Sequence, residues 1–265
     1  MVGTLKDEKL NLGVLIALFF LRFALVFLSN ANTIYSNRGL VIYLLGTFIL
    51  TGFFICKNIQ TLSKYNISGL AIFIFLFSPI FSVIGDPYNF VAYINIPIAI
   101  AFGIYLFRKR NEIVLTKTQT NKITINIAIT LIITVVIITI GVFIRGFKGG
   151  SNLDPLNLEW IIHQFLFQLS FAAIMEEPLF RGFFWGYLKK YKLSDITICV
   201  IQALLFWGVH IYYIDTGLNF WIFHPITAFL IGVIIVKTKN IAYSLVAHAL
   251  INTISQIFMF YYKIF

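Results

Sequence analysis

The sequence predicts an all-α polytopic membrane protein, a transmembrane helical bundle of about 8-9 helices in which the last four form a polar core. Three observations predict it. Hydrophobic residues make up 60% of the 265-residue chain, charged residues only 11%, and mean hydropathy is +0.91, whereas a soluble domain is about half apolar and a quarter charged. The apolar residues gather in long blocks, and blocks of about 17–25 match the hydrocarbon thickness of a bilayer. The basic residues alternate with those blocks in a way that assigns them to one side of a membrane.

Taken in order, the chain starts with a short polar stretch, "MVGTLKDEKLNLG". The apolar run after it is long and no small-residue cleavage site follows, so it reads as a retained first helix and not a removable signal peptide. Nine apolar segments result, at 13–29, 39–56, 69–85, 90–107, 123–144, 159–187, 194–214, 218–236 and 240–262. Only Asp86-Pro87 separates the third from the fourth, and "KTKN" the eighth from the ninth. A re-entrant or surface helix at either point would invert the topology downstream of it.

Placing the N-terminus in the cytoplasm puts 14 Lys and Arg in cytoplasmic segments, from Lys6 and Lys9 to Lys237 and Lys239. Four (Arg38, Arg145, Lys148, Lys263) fall outside, and Arg22 and Arg181 lie within segments. This is the positive-inside asymmetry of a multi-pass cell-membrane protein. It accounts for the net charge of +10 through anionic membrane lipids, and no nucleic-acid partner is needed. Cys56 and Cys199 sit inside apolar blocks with no metal or redox spacing and read as small buried hydrophobes.

The Gly/Pro/Asn-rich stretch "RGFKGGSNLDPLN" at 145–157 divides the chain. Residues 1–157 read as a transmembrane scaffold whose segment interiors carry almost no ionisable group. Arg22 is the exception, read as a partner for a lipid headgroup or a neighbouring helix. Residues 158–262 hold nearly all the polar chemistry. Within "MEEPLFRGFFWG", Glu177 and Arg181 are spaced i, i+4 in the favourable order for a helical ion pair. Glu176 points about 100° away and is left to face a reactive centre. Pro178 removes a bond to the carbonyl of Ile174, which kinks or widens the helix and lets water approach. Phe206 and His210 share a face in the next segment, as do His248 and Asn252 in the last. At about 1.5 Å per residue, Glu176, His210, His248 and Asn252 all reach mid-membrane depth. His163 and His224 read as structural residues.

The motifs EExxxR, FxxxH and HxxxN, carried by "EEPLFRG", "FWGVH" and "HALIN", follow one another on successive helices. They resemble the three motifs of the CPBP family of intramembrane proteases (CAAX protease and bacteriocin-processing, or Abi), and the resemblance covers about residues 158–260. It implies a four-helix catalytic core that hydrolyses a peptide bond within the bilayer. Glu176 and His210 would activate water and later protonate the leaving amine. His248 and Asn252 would donate to the oxyanion. Glu177, Arg181 and Phe206 would support them. The substrate would be a membrane-associated peptide or lipidated protein: a bacteriocin leader, a signalling propeptide or a CAAX-like chain end, cut near the cytoplasmic leaflet. Glu176, His210 and His248 also make a credible zinc set with a water in the fourth position, so zinc-dependent and metal-independent mechanisms both stand at this stage. The competing readings are a bacteriocin self-immunity protein and a non-catalytic membrane peptide binder or transporter. No pattern in the chain specifies an oligomeric state.

Overall fold

In the computed structural model, residues 5–29, 34–116, 122–145 and 157–262 are described. Most of the linker 145–157, and the cytoplasmic or outer positions Lys117, Lys148 and Lys263, lie outside them. The described residues are all-helical: α1 (Leu5–Ser29), α2 (Ile34–Lys57), α3 (Gly69–Gly85), α4 (Phe90–Arg108), α5 (Ile123–Arg145), α6 (Leu158–Phe171), α7 (Trp185–Lys189), α8 (Asp195–Gly208), α9 (His224–Thr238) and α10 (Ile241–Tyr262). Five helical runs, among them Leu158–Lys189 and Asn219–Thr238, are long and apolar enough to cross a membrane. A short 3-10 helix, Ile59–Tyr65, meets α3 at 101° and makes a sixth candidate, a broken span or a re-entrant loop. This is a multi-pass helical membrane protein.

The helices pair as α1 with α2, α3 with α4 and α6, α8 with α9, and α10 with α5, α6 and α9. The contacts follow from sequence stripes. Leu15, Leu18 and Arg22 recur along one face of α1, and Tyr43, Thr47, Thr51 and Phe54 along one face of α2, and all are buried. Phe19 of α1 sets its ring edge-on to Phe180 and Phe184, 5.6 Å away in each case. Phe54 of α2 stacks on Phe183 at 3.8 Å. The N-terminal helices therefore pack directly on the stretch that carries the glutamates.

One end of the bundle gathers the lysines. Asp195 joins Lys189 (2.7 Å) to Lys239 (2.5 Å). Backbone bonds tie Val114 N–H to the Ile59 carbonyl (2.9 Å), Thr116 N–H to that of Ile67 (3.0 Å) and Ile241 N–H to that of Asn66 (2.9 Å).

Two expectations change. The segment 194–214 is not one helix. α8 ends at Gly208, and a 3-10 helix, Ile211–Thr216, follows His210. The cause is local: the His210 ring donates from Nδ1 to the Phe206 carbonyl at 2.6 Å, the acceptor that the next α-helical N–H would use, and the His210 N–H turns to Trp207 instead. The second change is the extent of the widening at Pro178. Residues Ala172–Glu176 and Pro178–Phe184 are π-helical, so the distortion extends over three turns and not one kink.

Gly85, at the end of α3, marks a close approach of scaffold and site helix. A Cβ there would stand 2.8 Å from the His163 carbonyl oxygen and 2.9 Å from Phe167 Cα. Because both obstacles are backbone, Gly85→Val should destabilise the fold by about 1–3 kcal/mol, the range for overpacking. A lowered thermal midpoint in detergent relative to the parent protein is the expected reading.

Candidate active site

Four charged side chains meet inside the bundle. Glu177 and Arg181 are both wholly buried, with Arg181 Nη1 3.1 Å from Glu177 Oε1. Arg181 also donates to the Ala228 carbonyl (3.3 Å) and lies over the Phe206 ring, 4.2 Å from its centroid. Glu176 takes its cation from elsewhere. Arg22, reaching across from α1, places Nη2 2.5 Å from Glu176 Oε1 and donates through Nη1 to the Tyr43 hydroxyl at 2.8 Å. Each glutamate thus has its own arginine.

The two histidines stand between these pairs. His248 donates from Nδ1 to Glu177 Oε1 (2.9 Å) and turns Nε2 to Glu176 Oε2 at 3.3 Å. His210 has its proton on Nδ1, because the Phe206 carbonyl can only accept. Its Nε2 is then an acceptor, and Arg22 Nη2 donates to it at 3.0 Å. Glu176 Oε1 is 3.6 Å from that nitrogen, beyond hydrogen-bond reach. Phe206 walls the pair, with its ring 4.5 Å from His210 and 5.9 Å from His248.

Adjacent residues of a helix diverge by about 100°, which turns the two glutamates toward different partners, and they sit within a π-helical run. Pro178 leaves the Ile174 carbonyl without its helical donor, and the Thr51 hydroxyl of α2 donates to it at 3.4 Å. At the other end of the run the Arg181 carbonyl accepts from Asn66 Nδ2 at 3.1 Å. Wide helical turns of this kind are rare and recur at functional sites.

Glu176, His210, His248 and Asn252 all line one cavity of about 400 Å³, together with Phe206, Gln168, Asn219, His224, Thr227, Ser255 and Gln256. The glutamates differ here. Glu176 is 14% exposed and reaches the cavity, whereas Glu177 is sealed behind it. Asn252 donates to Gln168 Oε1 at 3.2 Å across the cavity wall. Cys199 is buried away from this site with its thiol near the Phe229 carbonyl. His224, read from the sequence as structural, lines the cavity too, with its ring 5.5 Å from that of His210.

Sequence reasoning missed Arg22 and Tyr43 as part of this site, although a lone arginine deep in an apolar helix signalled a buried acid somewhere in the bundle. The zinc set left open above does not fit the arrangement. The Arg22 guanidinium already fills the cation position between Glu176 and His210. Among the described residues no three His, Cys, Asp or Glu side chains converge on a metal position.

Residues 158–254 match the family model described as type II CAAX prenyl endopeptidase Rce1-like. No curated protein and no solved structure matches the chain.

Removing one partner of a wholly buried ion pair strands the other charge, which is destabilising by about 3–5 kcal/mol. Arg181→Ala should therefore unfold at markedly lower temperature than the parent. Arg181→Ala combined with Glu177→Gln should recover part of that loss. Equal midpoints for the two variants would mean that the pair carries no such coupling.

Proposed function

We propose, on the premise that residues 158–254 are an Rce1-like domain of the CAAX protease family, that this chain is an intramembrane endopeptidase. Glu176 is its general base. The observation that supports this reading most is the placement of Glu176 Oε2 and His248 Nε2, 3.3 Å apart on the wall of a cavity inside the bundle. A water seated against these two atoms would face a peptide carbonyl lying in the cavity.

The reaction then follows from the side chains. Glu176 removes a proton from the water as its oxygen attacks the carbonyl carbon. The carbonyl oxygen, now negative, is stabilised by donors from the cavity wall. Asn252 has a suitable donor in Nδ2, which would exchange its bond to Gln168 for one to the oxyanion. The proton held by Glu176 passes to the departing amine as the C–N bond breaks. His248 Nε2 stands beside Glu176 Oε2 on the cavity wall, and Glu177 with Arg181 holds His248. His210 fixes Arg22, which orients Glu176. No step requires a metal.

We further propose that the protein resides in the cell membrane with its N-terminus and the lysine-rich end of the bundle in the cytoplasm. The 14-to-4 distribution of basic residues supports this orientation.

Glu176→Gln should lower the rate of peptide cleavage by about 10²–10⁴-fold, the usual worth of a general base. His210→Ala and His248→Ala should also lose most activity, and Glu177→Gln should lose less than Glu176→Gln. These are measured as processing of a reporter peptide in membranes at matched expression. Undiminished processing in every variant would sink the protease reading and favour a membrane peptide binder. Protein purified and stripped with a strong chelator should keep its activity and carry no stoichiometric zinc. Activity lost on chelation and restored by zinc would overturn the metal-free mechanism.

A further inference from the structure

The cavity that holds Glu176 has a direction. Each helix contributing to it meets the lysine-rich end at one terminus and the cavity towards the other. On α10 the lining residues run from His248 to Gln256, while Ile241 sits at the lysine end. On the run Leu158–Lys189 they are Phe167, Gln168, Phe171 and Glu176, at least 13 residues from Lys189. α8 rises from Asp195, clamped between Lys189 and Lys239, and spans roughly 21 Å before it stops. His210, Tyr213, Thr216 and Asn219 then fold over the far side, and His224 starts α9 back toward Thr238. None of the residues between 186 and 195 or between 237 and 241 lines this cavity.

The lining also has a chemistry. Past the reactive groups it offers amides and hydroxyls (Gln168, Thr216, Asn219, Asn252, Ser255, Gln256) between aromatic rings. Among the described residues Glu176 is the one carboxylate lining it, and no lysine or arginine lines it. Amides and hydroxyls suit the alternating N–H and C=O groups of an extended backbone. The free carboxylate of a chain end would find no lysine or arginine among the described lining residues.

We infer that the cavity is entered from the outer, non-cytoplasmic face of the membrane, and that its substrate is an internal segment of an exported polypeptide, not a cytoplasmic lipidated chain end. This deepens the protease reading and rests on it for the cleavage step. The entry side rests only on the geometry of the cavity and the distribution of lysines.

Two positions at the mouth, Thr216 and Gln256, are exposed, as is Gln60 at the lysine end. Thr216→Cys, Gln256→Cys and Gln60→Cys are introduced singly, with the parent chain, which carries a partly buried Cys56 and a buried Cys199, as the blank. Intact cells are treated with a membrane-impermeant maleimide, and the labelling is repeated after permeabilisation. Thr216→Cys and Gln256→Cys should label in intact cells, and Gln60→Cys only after permeabilisation. The opposite pattern, or mouth positions that label in neither condition, would overturn the inference. A quenched fluorescent polypeptide with blocked ends, supplied outside intact cells, should be cut by the parent chain at least 10-fold faster than by Glu176→Gln. Outward labelling with no such cleavage of any supplied or co-expressed peptide would refute the protease reading and leave the entry side standing. Cleavage confined to a prenylated chain end supplied to inverted vesicles would refute the exported substrate.

Discussion

Four charges in an apolar interior are the constraint around which this bundle is organised. Arg22 with Glu176 and Arg181 with Glu177 sum to zero, and each pair is in direct contact. An ionised side chain at the centre of a membrane helix costs about 2.5–3.5 kcal/mol on the most lenient scale, so none of the four can be left unpaired. The second pair is local, within one helical run. The first is not: it joins α1 to the π-helical stretch 154 residues later. That contact requires α1 to pack against α2 and the Phe180–Phe184 surface, and it fixes where the scaffold sits relative to the cavity. Tyr43, by accepting from the same guanidinium, draws α2 into the same arrangement.

The two glutamates are adjacent in sequence yet have separate partners, and helix geometry decides this. In an ordinary α-helix neighbouring side chains diverge by about 100°. Around Pro178 the backbone departs from the regular α-helical ladder, and the carbonyls of Ile174 and Arg181 accept from donors outside the helix. Thr51 and Asn66 supply those donors. The distortion is thus held from both ends by residues of the scaffold, and Glu176 can reach the cavity while Glu177 stays sealed.

Much of this was legible in the sequence. The block lengths gave the helical segments, the i, i+4 spacing gave the Glu177–Arg181 contact, and three short motifs marked the side chains that now meet at one cavity. Arg22 was legible in principle. Once Glu177 is assigned to Arg181, Glu176 is the remaining acid deep within an apolar block, and Arg22 the remaining cation. That deduction requires knowing which distant helices touch, which periodicity does not supply. The end of α8 escaped for a different reason. Nothing in the hydropathy of 194–214 changes at Gly208. The break comes from one ring nitrogen competing for one carbonyl, an interaction that no window average can register.

That same ring nitrogen has a consequence for the chemistry. With Nδ1 committed to the Phe206 carbonyl, His210 presents Nε2 as an acceptor, and a guanidinium fills it. His210 then has no free nitrogen with which to take a proton from water, while the Nε2 of His248 stands beside Glu176. The two histidines are therefore not equivalent, although the motifs present them as such. His210 orients Arg22, which in turn orients Glu176, and His248 meets Glu176 directly. Loss of the His210 ring would be felt through Arg22 and through the end of α8 together. Loss of His248 would be felt at Glu176 and at its buried neighbour Glu177. The division of labour comes from which backbone carbonyl and which carboxylate each Nδ1 meets, and the helix break at Gly208 is part of the same device.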